Sequence, residues 1–158
     1  MGRALNVSIV GCGDMAGQCL DVYRDLDWVR VASCIDIDLE RAQHAGDAVS
    51  AQRVTSDFRA ALSGEVEAVI INTPNHVHRP PALAAIRAGK HVLLQKPVAA
   101  KLRDADEIAN AARRSDRTIG VYMSYFDQPL MHDARDMVSK GYLGDVVHFY
   151  ARFMHRGG

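Results

Sequence analysis

The sequence predicts an α/β fold built on a doubly wound parallel sheet, and two observations carry that expectation. Apolar runs rich in branched residues alternate with helical patterns along most of the chain, beginning with Asn6–Val10 and Val29–Ile35. The later runs are apolar throughout rather than at every second residue, as a parallel sheet covered by helices on both faces requires. Length and composition allow such a fold: 158 residues are close to one common domain, and 48% hydrophobic residues are ample for a core.

Taken in order, the first strand, Asn6–Val10, runs into a glycine-rich turn. Beyond it Ala16, Cys19, Leu20, Tyr23 and Leu26 recur at helical spacing and form one apolar stripe, which predicts a helix packed on the sheet. Val29–Ile35 is the second strand, and a weaker one is expected near Arg53 and Val54. Further strands are expected at Ala68–Asn72, His91–Gln95 and Thr118–Met123. Pro80 and Pro81 mark the first turn of a helix that runs through Ala88 and ends at Gly89. Another spans about Leu102–Arg114, with Ala105, Ile108, Ala109 and Ala112 facing inward. Right-handed crossovers place any ligand at the carboxyl ends of the strands, where the winding reverses.

The pattern changes after Met123, so residues 1–123 read as one domain and 124–158 as the beginning of a second, α+β domain. Leu130, Ala134, Met137 and Val138 share one helix face, closed by Gly141. A strand from Asp145 to about Met154 should follow, because Val147, Phe149, Ala151 and Phe153 alternate with His148, Tyr150, Arg152 and Met154. It predicts the opening strand of an antiparallel sheet. Its edges call for pairing with a twin, another polypeptide or further sequence, and a homo-oligomer is the expected form.

Nineteen basic residues balance nineteen acidic ones, which leaves no long-range field to gather nucleic acid or anionic lipid. The opening residues lack the pattern of a signal peptide, and no run is long enough to cross a bilayer. Cys12, Cys19 and Cys34 are odd in number and show no CxxC spacing, which argues against a disulfide framework or a structural zinc site. A cytoplasmic protein without nucleic-acid or membrane partners is expected.

The chemistry-bearing residues fall at predicted strand ends. Gly11, Gly13 and Ala16 form GxGxxA between the first strand and the first helix, where absent side chains let backbone amides approach a pyrophosphate at the positive helix end. This is the dinucleotide-binding signature of a Rossmann fold; as a bare motif it also describes an ordinary tight turn. Asp36 ends the second strand, and its carboxylate suits the adenosine ribose hydroxyls, which favours NAD; the alternative is that it merely caps the next helix. A 2′-phosphate would meet Asp36 and Asp38, although Arg41 on the following helix keeps NADP open. S-adenosylmethionine sites usually carry an acidic residue just before the glycines, where this chain has Ile9 and Val10. Thr73, Pro74, Asn75, His76 and His78 follow the fourth strand and can shape the cofactor's edge; two histidines without a carboxylate or cysteine cluster make a poor metal shell. Lys96 either points into the crevice or is a solvated surface lysine. Cys12 has a helix N-terminus beside it that could lower its thiol pKa, yet a small neutral residue is all the turn needs there.

Together, Gly11-Cys12-Gly13, Asp36, Thr73-Pro74-Asn75 with His78, Gly89-Lys90-His91-Val92, Gln95-Lys96-Pro97 and the pair Gly141 and Gly144 resemble the glucose-fructose oxidoreductase and inositol dehydrogenase family, Gfo/Idh/MocA. The resemblance covers nearly the whole chain. It implies an NAD(P)-dependent oxidoreductase that moves a hydride between the nicotinamide cofactor and a sugar, cyclitol or related polyol, with Lys96 matching the family's active-site lysine. Gln95 stands where the family usually has Glu, which removes a charge beside the nicotinamide ribose, and Tyr125 stands where relatives often have Arg. The candidate cofactor-binding set is Gly11, Cys12, Gly13, Asp14, Met15, Ala16, Asp36, Ile37, Thr73, Pro74, Asn75, His78, Gln95, Lys96 and Tyr125. Lys96 is also the candidate catalytic residue, and no metal ligand is expected. Family members continue into an open-faced sheet that carries a catalytic Asp and His, a segment without a counterpart here. The expectation is a chain that binds NAD but turns over sugars poorly or not at all by itself; the alternative is a non-catalytic NAD-binding module, or half an enzyme completed by another chain.

Overall fold

Strand β1 (Leu5–Val10) lies mid-sheet, and Val7, Ile9 and Val10 are each 5% exposed or less, which accounts for the unbroken apolar end of its sequence. On one side it pairs with β2 (Val29–Ile35), which pairs in turn with β3 (Arg53–Thr55). On the other side come β4 (Ala68–Ile71), β5 (His91–Gln95) and β6 (Ile119–Tyr122). All these pairings are parallel, and the order β3-β2-β1-β4-β5-β6 reverses its winding between β1 and β4. The computed structural model describes residues 3–123 and 128–152. By its contacts the chain separates into two units, Met1–Tyr122 and Met123–Gly158, and the sheet belongs to the first.

Helices cover both faces of the sheet. On one face α1 (Asp14–Gly17), α2 (Leu20–Asp25) and α3 (Leu39–Val49) bring Ala16, Leu20, Ala42, Ala45 and Val49 against Val7, Ile9, Val31 and Cys34. On the other, α4 (Arg79–Arg87), α5 (Leu102–Arg113) and a 3-10 turn at Phe58–Leu62 bring Ala61, Leu83, Ile86 and Ile108 against Val10, Ile35, Ile71 and Leu94. Each fully buried Ile or Leu contributes about 1.5–3 kcal/mol of hydrophobic stabilisation.

Two local expectations are corrected. The helix expected over Ala16–Leu26 is two short helices, because the chain tightens to an i→i−3 bond from the Cys19 N–H to the Ala16 carbonyl just after Gly17, a poor helix former. Its stripe survives the break: Ala16 and Leu20 are buried, and Cys19, Tyr23 and Leu26 are half-buried. The expected strand from Asp145 is not formed over residues 145–152, since a strand exists only against a hydrogen-bonded neighbour, and residues 153–154 lie outside the described ones. In the second unit, α6 (Pro129–Ser139) forms where expected, Gly141 follows it at φ +73°, and Leu130, Met137 and Val138 on its apolar face are exposed.

The stretch Gly89-Lys90-His91-Val92 has a structural explanation. Gly89 takes φ +67° after α4, and Lys90, 7% exposed, donates from Nζ to the carbonyls of Ser63 and Val66, each at 2.7 Å. Those two bonds satisfy a buried ammonium that would otherwise be costly. His91 Nδ1 accepts the Thr118 N–H at 3.0 Å and so holds the start of β6. Among the described residues, no helix is long and apolar enough to cross a membrane, and no cluster of three or more His, Cys, Asp or Glu could hold a metal ion.

β1 and β2 are not in simple register. Val7 pairs with Val31, but Ser8 pairs with Ser33, so Ala32 is an extra residue and the side chains of β2 change faces there. Ala32 and Ile35 consequently pack on the α4–α5 face, and Val31 and Cys34 on the other. The bulge also sets the Ser8 and Ser33 hydroxyls 2.7 Å apart, both buried. Ser8→Ala would leave the Ser33 hydroxyl unpartnered, at an expected cost of about 1–3 kcal/mol in urea denaturation, whereas Ser8→Ala with Ser33→Ala should fall within about 1 kcal/mol of the unaltered protein. A double variant as unstable as the sum of the singles would show that the hydroxyl pair is not what holds the bulge.

Candidate functional site

The loops at the carboxyl ends of β1 to β5 enclose one cleft of about 840 Å3 at the point where the winding reverses. Eleven of the fifteen candidate residues line it: Gly11, Gly13, Asp14, Met15, Asp36, Ile37, Thr73, Pro74, Asn75, Gln95 and Lys96. Such convergence from four separate strand ends is the topological consequence of reversing the winding between β1 and β4.

The glycine turn is forced by crowding. Gly11 adopts φ +87°, and a Cβ there would lie 2.6 Å from the Thr73 backbone nitrogen and 2.8 Å from the Asn72 carbonyl carbon. Its own N–H donates to the Ile35 carbonyl at 2.8 Å, so the turn is held between β2 and β4. Gly13 then precedes α1, which carries Asp14 in its first turn, and leaves the loop open to the cleft.

Asp36 is tied into this turn. One carboxylate oxygen accepts the Cys12 N–H at 2.7 Å and the other the Asp38 N–H at 2.9 Å. It does not cap α3; Asp38 does, accepting the N–H groups of Glu40 and Arg41. A carboxylate has about four lone-pair sites, so Asp36 keeps acceptor capacity toward the cleft that it lines. Arg41 pairs with Asp38 at 3.3 Å, and its Nη1 lies 3.7 Å from where a Gly13 Cβ would be.

On the β4 and β5 side, Gln95 is 6% exposed and its Oε1 accepts the Lys96 N–H at 2.8 Å, which fixes the turn that carries Lys96. Lys96 is exposed and lines the cleft, joined by a cis peptide bond to Pro97. The buried Thr73 Oγ1 and Asn72 Nδ2 have no hydrogen-bond partner among the described residues.

Three candidates sit elsewhere. Ala16 is fully buried against the core under the glycine turn, because the short α1 presses that side onto the sheet. His78 is 1% exposed, behind the cleft wall, since its ring turns back onto backbone carbonyls. Cys12 turns its side chain from the cleft into the core beside Cys34, and faces a smaller recess with Gly17, Leu20 and His44. The Cys34 thiol, by hydrogen bonding, holds the Cys12 thiol below its usual pKa against the opposing effects of burial and Asp36, while Cys34 itself is pushed up. Tyr125 lies outside the described residues. Conversely, Asn72, Ser56, Phe58 and Val77 line the cleft without having been singled out. Ser56 and Phe58 follow β3 and Asn72 follows β4, so the rule that ligands gather at carboxyl ends was the available signal.

The arrangement suits a dinucleotide. The glycine turn leaves a cradle that a Cβ would fill, acidic Asp36 offers acceptors where β2 ends, and two buried polar atoms in the β4 loop have no partner among the described residues. Apolar Ile37, Phe58, Pro74 and Val77 supply flat or greasy walls between these polar groups.

Residues 5–123 match the model of GFO_IDH_MocA, an oxidoreductase family with an NAD-binding Rossmann fold. The chain is 36% identical over 126 residues to 1,5-anhydro-D-fructose reductase of Ensifer adhaerens, covering 79% of this chain and 37% of that enzyme. It is 30% identical over 156 residues to inositol 2-dehydrogenase 2 of Saccharopolyspora erythraea, covering 96% of this chain and 45% of that one. A crystal structure of an NAD binding oxidoreductase from Klebsiella pneumoniae superposes with a TM-score of 0.82 at 31% identity, over 90% of this chain and 40% of that one. The chain therefore spans less than half the length of each of these relatives.

Gly11→Ala is expected to destabilise the protein by about 2–5 kcal/mol, the sum of overpacking against the Thr73 backbone and a strained positive φ. Urea denaturation measures it. A loss under about 0.5 kcal/mol, the range of an inert surface substitution, would show that β1 and β4 can part at this point without cost.

Proposed function

The chain belongs to the Gfo/Idh/MocA family of oxidoreductases with an NAD-binding Rossmann fold, and from that premise we propose that it is the dinucleotide-binding part of an NAD-dependent dehydrogenase for a sugar, cyclitol or related polyol. The observation that carries the reading is the meeting of Gly11, Asp36, Thr73 and Lys96 at one cleft. When bound, the nicotinamide supplies the hydride acceptor or donor. The N–H groups of the glycine turn and the start of α1 would hold the pyrophosphate, and the free lone pairs of Asp36 the adenosine ribose. Asn72 Nδ2 and Thr73 Oγ1 would take up polar atoms of the cofactor, which their lack of partners among the described residues supports. Lys96, at the mouth of the cleft, would donate a hydrogen bond to the reacting oxygen and orient it.

NAD rather than NADP is proposed because Asp36 stands at the end of β2 and a 2′-phosphate would face its charge. Arg41 is the counterweight: it lies between Asp38 and Gly13, close enough to the adenosine side to lend some affinity for NADP. Gln95 keeps the hydrogen bond that fixes the Lys96 turn without adding a negative charge beside the lysine.

A second reading, that the chain supplies dinucleotide binding to a site completed by another chain or by further sequence, is favoured by the second unit. There Leu130, Val147, Phe149 and Tyr150 are each 74% exposed or more, an apolar surface that calls for a cover. Steady-state oxidation of a polyol by the 158-residue chain alone would rule it out.

Calorimetric titration tests the cofactor reading. NADH should bind at least about tenfold more tightly than NADPH, a difference of about 1.4 kcal/mol, and Asp36→Ala should erase that preference by weakening NADH. Arg41→Ala should weaken NADPH more than NADH. Binding of neither dinucleotide to the unaltered chain would leave the fold in place and remove the function.

A further inference from the structure

His78 differs from the rest of its loop. It is 1% exposed and stands where the turn Asn75–Val77 passes into α4. Its Nε2 lies 2.6 Å from the Thr73 carbonyl oxygen, and its Nδ1 lies 3.1 Å from the carbonyl oxygens of both Pro97 and Val98. Backbone carbonyls only accept hydrogen bonds, and a neutral imidazole has a single N–H. With that hydrogen on Nδ1, the Nε2 lone pair would face an oxygen lone pair at 2.6 Å; with it on Nε2, Nδ1 would face two. A ring that carries hydrogen on both nitrogens satisfies all three contacts. A buried cation is tolerable only when fully hydrogen-bonded, and three charge-assisted bonds meet that condition.

The three carbonyls belong to the two loops that wall the cleft. Thr73 follows β4, while Pro97 and Val98 follow β5 directly after Lys96. The neighbouring Arg79 is engaged by Asp104 and Glu107 of α5, so those carboxylates serve the guanidinium, and Lys96 is exposed on the cleft side. We infer that His78 is a positioning residue, a double hydrogen-bond donor that clasps the Thr73 loop to the Lys96–Val98 loop and thereby sets where the Lys96 side chain begins. It acts on the cleft from behind and touches no ligand. Its effect on cofactor binding rests on the proposed function; its hydrogen bonds do not.

Nitrogen-15 NMR of the imidazole in the unaltered 158-residue protein at pH 7 reads both ring nitrogens directly. Hydrogen on both is the expected result, and one bare nitrogen overturns the double donor. In His78→Gln, whose donors sit on one nitrogen and cannot reach both loops, hydrogen exchange over residues 73–75 and 96–100 should quicken about tenfold while that of β1 stays unchanged. Unchanged exchange in both loops overturns the clasp, and equal quickening throughout the sheet, the mark of a merely structural role, overturns it too. NADH calorimetry separates the clasp from the cofactor reading: an affinity about tenfold weaker in His78→Gln supports positioning, and an equal affinity overturns it. Should the unaltered chain bind no NADH, the cofactor reading fails, and the ring nitrogens and loop exchange still decide the clasp.

Discussion

The backbones at the ends of β1 and β4 come so close at Gly11 and Thr73 that no side chain fits between them. That approach follows from the topology. The two strands are parallel neighbours whose chains leave in opposite directions, so their exit loops must share the space above the sheet edge. Gly11 answers with a missing Cβ and a positive φ, and its N–H is anchored to Ile35 on the far side. The cleft is the space this arrangement leaves over, with its walls fixed by the sheet rather than by the loops alone.

The acidic end of β2 reaches that cleft through a separate device. One extra residue, Ala32, turns the remainder of the strand over, which places Cys34 with Ile9 on one face and Ile35 with Val10 on the other. A one-residue slip reverses every side chain beyond it, so without the bulge the end of the strand would present the opposite faces and Asp36 would leave it turned away. With it, the carboxylate meets the Cys12 N–H and ties the glycine turn to β2. The buried Ser8–Ser33 bond sits at the bulge itself.

Several polar residues that carry the family resemblance hold loops rather than face the cleft. Lys90 is buried beneath the carbonyls of Ser63 and Val66, and His91 receives the Thr118 N–H. His78 joins the β4 and β5 loops from behind. Each pairs with a backbone group of another loop, and Lys90 and His78 do so while buried, which makes a loop wall stiff at a cost of few residues. Stiff walls in turn keep the turn between buried Gln95 and exposed Lys96 in place.

From its residues alone the chain determined its layers, the strands of its parallel sheet to within a residue or two, and the glycine turn, because burial period and permitted backbone angles are local properties written into neighbouring side chains. Asp36 was legible as a strand-end acid for the same reason. Tertiary structure alone decided that Ala32 bulges, that Asp36 grips Cys12 while Asp38 caps α3, and that Ser56, Phe58 and Asn72 join the cleft. It also broke the first helix after Gly17, turned Ala16, Cys12 and His78 away from the cleft, and left residues 145–152 without a strand. Each of these depends on which distant backbone group lies within about 3 Å, and the spacing of residues along a chain carries no record of that distance until the sheet has brought its strand ends together.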